Sequence, residues 1–317
     1  MEMFDFRDYG NGIVAFDAGY VRPILAAIHM VIEENRVAFI DTGSNDALPN
    51  ALAALEAVGL DAAAVDYVIL THIHLDHAGG AGCLMQAFPN AKLVVHPRGA
   101  RHMAAPEKLV AGVCAVYGPE YVQRVYGEII PVAAERIVEA ADGHTVSLAG
   151  RQLICLDTPG HARHHICIVD QKTSGIFTGD MFGLSYRELD VDGRQFIFPT
   201  TTPTQFDPDE MRQSIQRLLA CEPEAMYLTH YSRVDQVLEK GAELLRHLDA
   251  LIALALAEKD AGSLRQGKIK EAMTTYLLSQ IRAHGCCLPE ATLLDIWGTD
   301  LELNAQGLVV WLDSLPD

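Results

Sequence analysis

The chain has 317 residues, half of them apolar and 21% charged, a balance that supports a large packed core and excludes the low-hydrophobicity signature of disorder. Its formal charge of −18 argues against nucleic-acid and anionic-membrane partners, since both need clustered Lys and Arg, and a small-molecule substrate is expected instead. The seven cysteines are odd in number and contain no Cys-x-x-Cys pair, so no disulfide framework is expected.

Residues Met1 to Asp8 lack the basic and apolar regions of a secretory leader, and a cytoplasmic location is expected. Strands are predicted over Gly12 to Phe16, Leu25 to Ile32 and Val37 to Ile40, with Glu33-Glu34-Asn35-Arg36 turning the last two into a hairpin. Asn45 to Val58 is alanine-rich with helical spacing and a Gly59 stop, and Tyr67 to Leu70 is a short buried strand. A helix over Ala78 to Phe88, a strand over Lys92 to His96 and a mostly helical tract from Gly99 to Glu128 follow.

Strands are then expected at Arg136 to Glu139, Thr145 to Leu148, Gln152 to Leu156, Ile166 to Val169 and Gly175 to Phe177, separated by turn signals. Gly183 to Gln205 reads as an irregular loop, after which Asp207 caps a helix over Asp209 to Leu219 with Pro208 at its first position. After the strand Ala225 to Leu228, helices are predicted over Val234 to Glu258, Lys268 to Ala283, Pro289 to Trp297 and Ala305 to Leu312. The pattern is a layered α/β sandwich with a helical end. The composition shift near Val234 divides the chain into 1–233, carrying the chemistry, and 234–317, a helical appendage packed on it.

Seven side chains able to bind metal fall at chain breaks after predicted strands: His72, His74, Asp76, His77, His161, Asp180 and His230. In an extended chain residues two apart point the same way, so His72 and His74 reach one ion, while Asp76 and His77 begin the next helix and turn toward a second. Imidazoles with a few carboxylates suit zinc, iron, cobalt or manganese, and without thiolates there is no closed structural zinc site. Two such ions roughly 3.5–4 Å apart share and ionise a water, which is hydrolytic chemistry. One histidine alone would be an ordinary packed residue; four matching segments in order are not.

The run His72-x-His74-x-Asp76-His77, then Thr158-Pro159-Gly160-His161, Phe177-Thr178-Gly179-Asp180 and Leu228-Thr229-His230, resembles the metallo-β-lactamase superfamily in its glyoxalase II-like branch. The resemblance covers roughly Gly12 to Arg233 and implies a four-layer αββα sandwich with added C-terminal helices. It makes His72, His74 and His161 ligands of one ion, Asp76, His77 and His230 ligands of the other, and Asp180 the bridge between two divalent ions, zinc first with iron or manganese as alternatives. A bridging hydroxide would attack an acyl carbon, with Asp76 handling the proton. Asp41, in Asp41-Thr42-Gly43, is the residue that by resemblance supports the metal loop from behind.

Histidine at position 74 and the absence of a flavodoxin-like domain argue against the flavodiiron branch, and the charge argues against the nuclease branches. Thr71 to Gly80 also resembles the quorum-quenching lactonases. Those enzymes carry a tyrosine three residues beyond the bridging aspartate, where this chain has Gly183; Tyr186 is the nearest substitute, with Tyr20 and Tyr231 as further substrate-contact candidates. The basic residues Lys268, Lys270 and Arg282 do not match the glutathione-binding set of glyoxalase II. The expectation is a dinuclear hydrolase of an acyl ester, thioester or lactone. The alternatives are a mononuclear-iron sulfur dioxygenase on the same scaffold and a ligand-binding or regulatory protein with incidental hydrolysis. The apolar helical end is the surface expected to form a homodimer.

Overall fold

A computed structural model describes residues 6–316; Met1 to Asp5, part of the stretch read above for a secretory leader, lie outside the described residues. The described chain falls into two compact units, one of residues 6–157, 164–179 and 223–233, the other of residues 158–163, 180–222 and 234–316.

The first unit holds two sheets. One is built from β1 (Phe6–Asp8), β2 (Ile13–Asp17), β3 (Ala27–Glu33), β4 (Arg36–Ile40), β5 (Val65–Ile69), β6 (Lys92–Val95) and β7 (Ile137–Glu139), in that spatial order. Its first four strands pair antiparallel and its last four parallel. The other contains β8 (Thr145–Leu148), β9 (Arg151–Asp157), β10 (Ile166–Asp170), β11 (Gly175–Gly179), β12 (Ala225–Leu228) and β13 (Ser232–Val234), in the reverse order, with β11 and β12 parallel. Glu34 and Asn35 both take positive φ, the geometry of a two-residue turn that matches strand twist, and close the β3–β4 hairpin.

The continuous apolar run of β4 follows from burial on both faces. Val37 and Phe39 join a core formed with helices, while Ala38 and Ile40 join a second core with Leu153, Ile166 and Phe177 of the other sheet. Phe39 stacks on Phe88 at 5.1 Å, and burying one such side chain contributes about 2–3 kcal/mol. The helices of this unit are α1 (Leu48–Ala57), α2 (Leu75–Ala78), α3 (Ala81–Ala87), α4 (Pro97–Ala104), α5 (Glu107–Tyr117) and α6 (Pro119–Tyr126).

The second unit contains α7 (Pro208–Leu219), α8 (Val237–Ala257), α9 (Arg265–His284) and α10 (Glu290–Ser314). The Asp207 carboxylate accepts from the Asp209 and Glu210 N–H groups at the start of α7, the cap expected from sequence. Two expectations are corrected. The helical region starts at Val237, because residues 232–234 form β13. The two helices expected over Pro289 to Trp297 and Ala305 to Leu312 are one continuous helix, α10, which carries Gly298 and Gly307 in its interior. No helix among the described residues is long and apolar enough to cross a membrane.

Candidate metal centre

Three strands end at the residues with chemistry: Asp41 follows β4, Thr71 to His77 follow β5, and Thr229-His230 follow β12. In the first unit Asp76, His77 and His230 bring one ligand atom each within 4.8 Å of the others. Asp76 Oδ2 lies 3.5 Å from His77 Nε2 and 3.4 Å from His230 Nε2. The opposite nitrogen of each ring is committed from behind: His77 Nδ1 donates to Asp41 at 2.8 Å, and His230 Nδ1 donates to the Leu25 carbonyl at 2.7 Å. These partners assign the tautomer, leaving both Nε2 lone pairs aimed at Asp76, the arrangement in which an outer acceptor orients a metal-binding histidine.

His72 and His74 lie beside this group in the same unit, with His72 Nε2 and His74 Nδ1 3.0 Å apart. Behind them the Thr71 hydroxyl donates to Asp41, so its oxygen accepts from His72 Nδ1 at 3.1 Å. Asp41 also accepts from the Thr71 N–H and the Thr229 hydroxyl, each at 2.8 Å. One fully buried carboxylate, on a residue with φ of 61°, thereby touches His77 and the neighbours of His72 and His230. His165 stacks on His72 at 4.9 Å between ring centroids, and the His164 imidazole lies edge-on to His74. Burial, and then the charge of His74, push His164 down to about 3.

His72, His77 and His230 are buried, whereas His74 and Asp76 are partly exposed. Burial pushes the Asp76 carboxyl up, but His77 and His230, when protonated, outweigh it and hold it well below the usual carboxylate range. Asp76 is therefore an anion at neutral pH. The donor set of two neutral imidazoles, one carboxylate and externally fixed tautomers fits a divalent ion.

In the second unit His161 Nε2 lies 3.3 Å from Asp180 Oδ2, both residues being buried. Thr202 Oγ1 stands 3.5 Å from His161 Nδ1. Gly183, where lactonases carry tyrosine, has φ of 76°, and a Cβ there would meet the Phe198 carbonyl oxygen at 2.5 Å. The departure is built into the backbone. Tyr186 is fully buried and donates its hydroxyl to Asp300 at 2.9 Å.

Of the other tyrosine candidates, Tyr231 is buried in the first unit. Tyr20 stacks on Tyr126 with their hydroxyls 2.6 Å apart, and burial first, then the Asp76 carboxylate, push its pKa up and keep the phenol protonated. The pairing of Tyr20 with Tyr126 spans 106 residues and leaves no local signal in the sequence.

The sequence profile of the metallo-β-lactamase superfamily matches residues 24–230. The chain belongs to this superfamily. A metallo-β-lactamase fold-containing protein of Sulfurisphaera tokodaii is 26% identical over 225 residues, covering 69% of this chain and 78% of the relative. A hydroxyacylglutathione hydrolase of Xanthomonas campestris is 27% identical over 248 residues, 75% of this chain and 76% of that protein. The structure of a metallo-β-lactamase family protein from Thermus thermophilus shares the fold, with a TM-score of 0.68 at 18% identity over 96% of this chain and 94% of that one. The fold class is thus the αββα sandwich of the metallo-β-lactamase superfamily with additional C-terminal helices. It is a metallohydrolase fold carrying candidate metal-binding His and Asp groups.

Proposed function

We propose that the chain is a dinuclear metal-dependent hydrolase that cleaves an acyl ester, thioester or lactone of a small molecule. In this reading His72, His74 and His161 hold one divalent ion, Asp76, His77 and His230 hold the other, and Asp180 serves both. Zinc is the first choice, with iron or manganese as alternatives. Residues 1–233 carry the chemistry and 234–317 form the helical appendage. The observation that carries the reading is the pair of imidazoles, His77 and His230, whose Nδ1 atoms are engaged from behind while both Nε2 atoms converge on Asp76.

Bound there, two divalent ions supply an ionised water at neutral pH and a Lewis acid for the acyl oxygen. The protein's own share is orientation and proton handling. Asp41 fixes His77 directly and His72 through Thr71, so both rings are set before substrate arrives. Asp76, ionised and partly exposed, handles the proton passing from the attacking oxygen to the leaving group. Tyr20, whose hydroxyl hydrogen-bonds Tyr126, and Tyr231 are the substrate-side candidates we keep, whereas the Tyr186 hydroxyl is committed to Asp300. The hydroxyacylglutathione hydrolase relative supports a thioester within this class. The strong negative charge supports a small molecule over a polyanion as substrate.

The test is elemental analysis of the purified protein coupled to turnover of thioester, lactone and aryl-ester panels. Two divalent ions per chain with hydrolysis of one class is the expected result. Two ions without turnover in any class would remove the hydrolase reading, and a single iron with thiol-dependent oxygen uptake would replace it with a dioxygenase.

A further inference from the structure

The continuity of α10 is at odds with its composition. Asn304 and Gly307 are both poor helix residues, and an interior glycine costs about 1 kcal/mol relative to alanine. Their placement makes sense through what they touch. Trp297, Asp300, Asn304, Gly307 and Trp311 recur at spacings of three and four, which puts them on one stripe of the helix.

That stripe receives the irregular segment that precedes α7. Phe198 packs edge-on to Trp297 at 5.8 Å, Tyr186 donates to Asp300, and Phe206 lies edge-on to Trp311 at 6.4 Å. The tightest contact is in the middle. Asn304, buried to 1% exposure, accepts the Thr201 N–H on Oδ1 at 2.7 Å and donates from Nδ2 to the Pro199 carbonyl at 3.1 Å. The Thr201 hydroxyl donates to the Asn304 carbonyl at 3.0 Å. A Cβ at Gly307 would stand 1.5 Å from the Thr201 carbonyl oxygen, so only glycine admits this approach.

The next residue, Thr202, faces His161 Nδ1 at 3.5 Å, the outer limit of a hydrogen bond. The same segment brackets His161 on both sides: Gln205 Oε1 accepts the Arg163 N–H, and the Asp207 N–H donates to the Gly160 carbonyl, each at 2.8 Å. We infer that Asn304 is a positioning residue for His161, acting through Thr201 and Thr202, so that the C-terminal helix is part of the metal-binding machinery. The inference rests on the reading of His161 as a metal ligand. A buried asparagine with both polar ends satisfied by one loop fixes that loop in register, and an outer partner that orients a metal-binding histidine is worth about 10–100-fold in metal affinity.

The experiment is titration of the full-length, chelator-stripped protein with Zn(II), monitored by calorimetry, for wild type, Asn304→Ala, Thr202→Val and the double variant. Leu301→Ala serves as control, since Leu301 is buried on the same helix and its truncation destabilises without touching the loop contacts named here. Wild type is expected to take up two ions. Asn304→Ala and Thr202→Val are each expected to weaken one ion by about tenfold while leaving the other within about twofold. The double variant is expected to be no worse than the singles, because both break one path. Leu301→Ala is expected to lower Tm with both affinities unchanged.

Unchanged affinity in Asn304→Ala, additive losses in the double variant, or a loss that Leu301→Ala reproduces would overturn the inference while leaving the hydrolase reading in place. Should Asn304→Ala not fold, Thr202→Val decides alone, and wild-type affinity there overturns the inference. A wild type that takes up no ion overturns the ligand reading itself, and this inference with it.

Discussion

Two buried aspartates at opposite ends of the first unit are satisfied in opposite ways. Asp170, beside the β3–β4 turn, meets the Arg151 guanidinium through Nε at 2.9 Å and Nη2 at 2.5 Å, with Thr173 and the Lys172 N–H filling its remaining lone pairs. Arg151 also donates to the Asn11 and Ile32 carbonyls, so the pair ties β9 and β10 to the first sheet. Asp41, at the other end of β4, is met instead by the Thr71 amide and hydroxyl, the Thr229 hydroxyl and the His77 ring. A carboxylate matched by arginine is closed, and it holds structure. A carboxylate matched by neutral donors and one imidazole passes its negative charge through that ring to whatever sits on the far nitrogen.

The largest effect is expected away from both, at Asp180. Asp180→Ala should abolish two-ion loading and lower hydrolysis by more than about a hundredfold, with circular dichroism and Tm close to wild type. An active variant that still loads two ions would show that the assignment of Asp180 to both ions is wrong.

Arg151→Met tests the structural end of the comparison. Removing one partner of a buried ion pair leaves an uncompensated charge, and a loss of about 3–5 kcal/mol in urea unfolding at pH 7 is expected, with metal affinity unchanged. The pH dependence has a definite sign. Burial pushes the Asp170 carboxyl up, but the Arg151 and Thr173 hydrogen bonds outweigh it, so its folded pKa lies below the ordinary 3.8. Its stabilisation is complete above pH 3.8 and is lost as pH falls through the folded value, so the gap between wild type and variant should narrow below about pH 3.8. A gap that widens with acid would contradict this account.

Asp41→Asn tests the other end. The amide keeps the shape but loses acceptor capacity for His77 Nδ1, and affinity for divalent metal should fall about 10–100-fold in competition with a chelating dye, with a smaller stability loss than Arg151→Met. If stability fell and metal affinity did not, Asp41 would be a clamp of the Asp170 kind and the distinction would collapse.

Which of these parts is legible in the sequence depends on how far apart the partners lie along the chain. The word Thr71 to His77 is local: strand alternation aims His72 and His74, and the following helical turn carries Asp76 and His77, so spacing alone carries the chemistry. The Thr229 hydroxyl on Asp41 bridges 188 residues and the Tyr20–Tyr126 pair 106, and no periodicity encodes such contacts. Element boundaries failed where tertiary contact overrode local propensity. Residues 298–304 fall between two expected helices, yet the contacts of Asn304 and Gly307 with Pro199 and Thr201 carry α10 straight through. The short strands β1 and β13, of three residues each, are not among the expected strands.

The smallest expected effect separates side chain from backbone at a third aspartate. Asp207 caps α7 through its carboxylate, but it holds the residue before His161 through its own N–H, which donates to the Gly160 carbonyl. Asp207→Ala removes the first interaction and keeps the second, so it should cost about 1 kcal/mol of stability. Zinc affinity should stay within about twofold of wild type, because nothing on the His161 side has lost a partner. A drop of tenfold or more would mean that the cap itself sets the position of the loop around His161. The aspartates of this protein would then divide by proximity to the ligands rather than by the kind of donor that satisfies them.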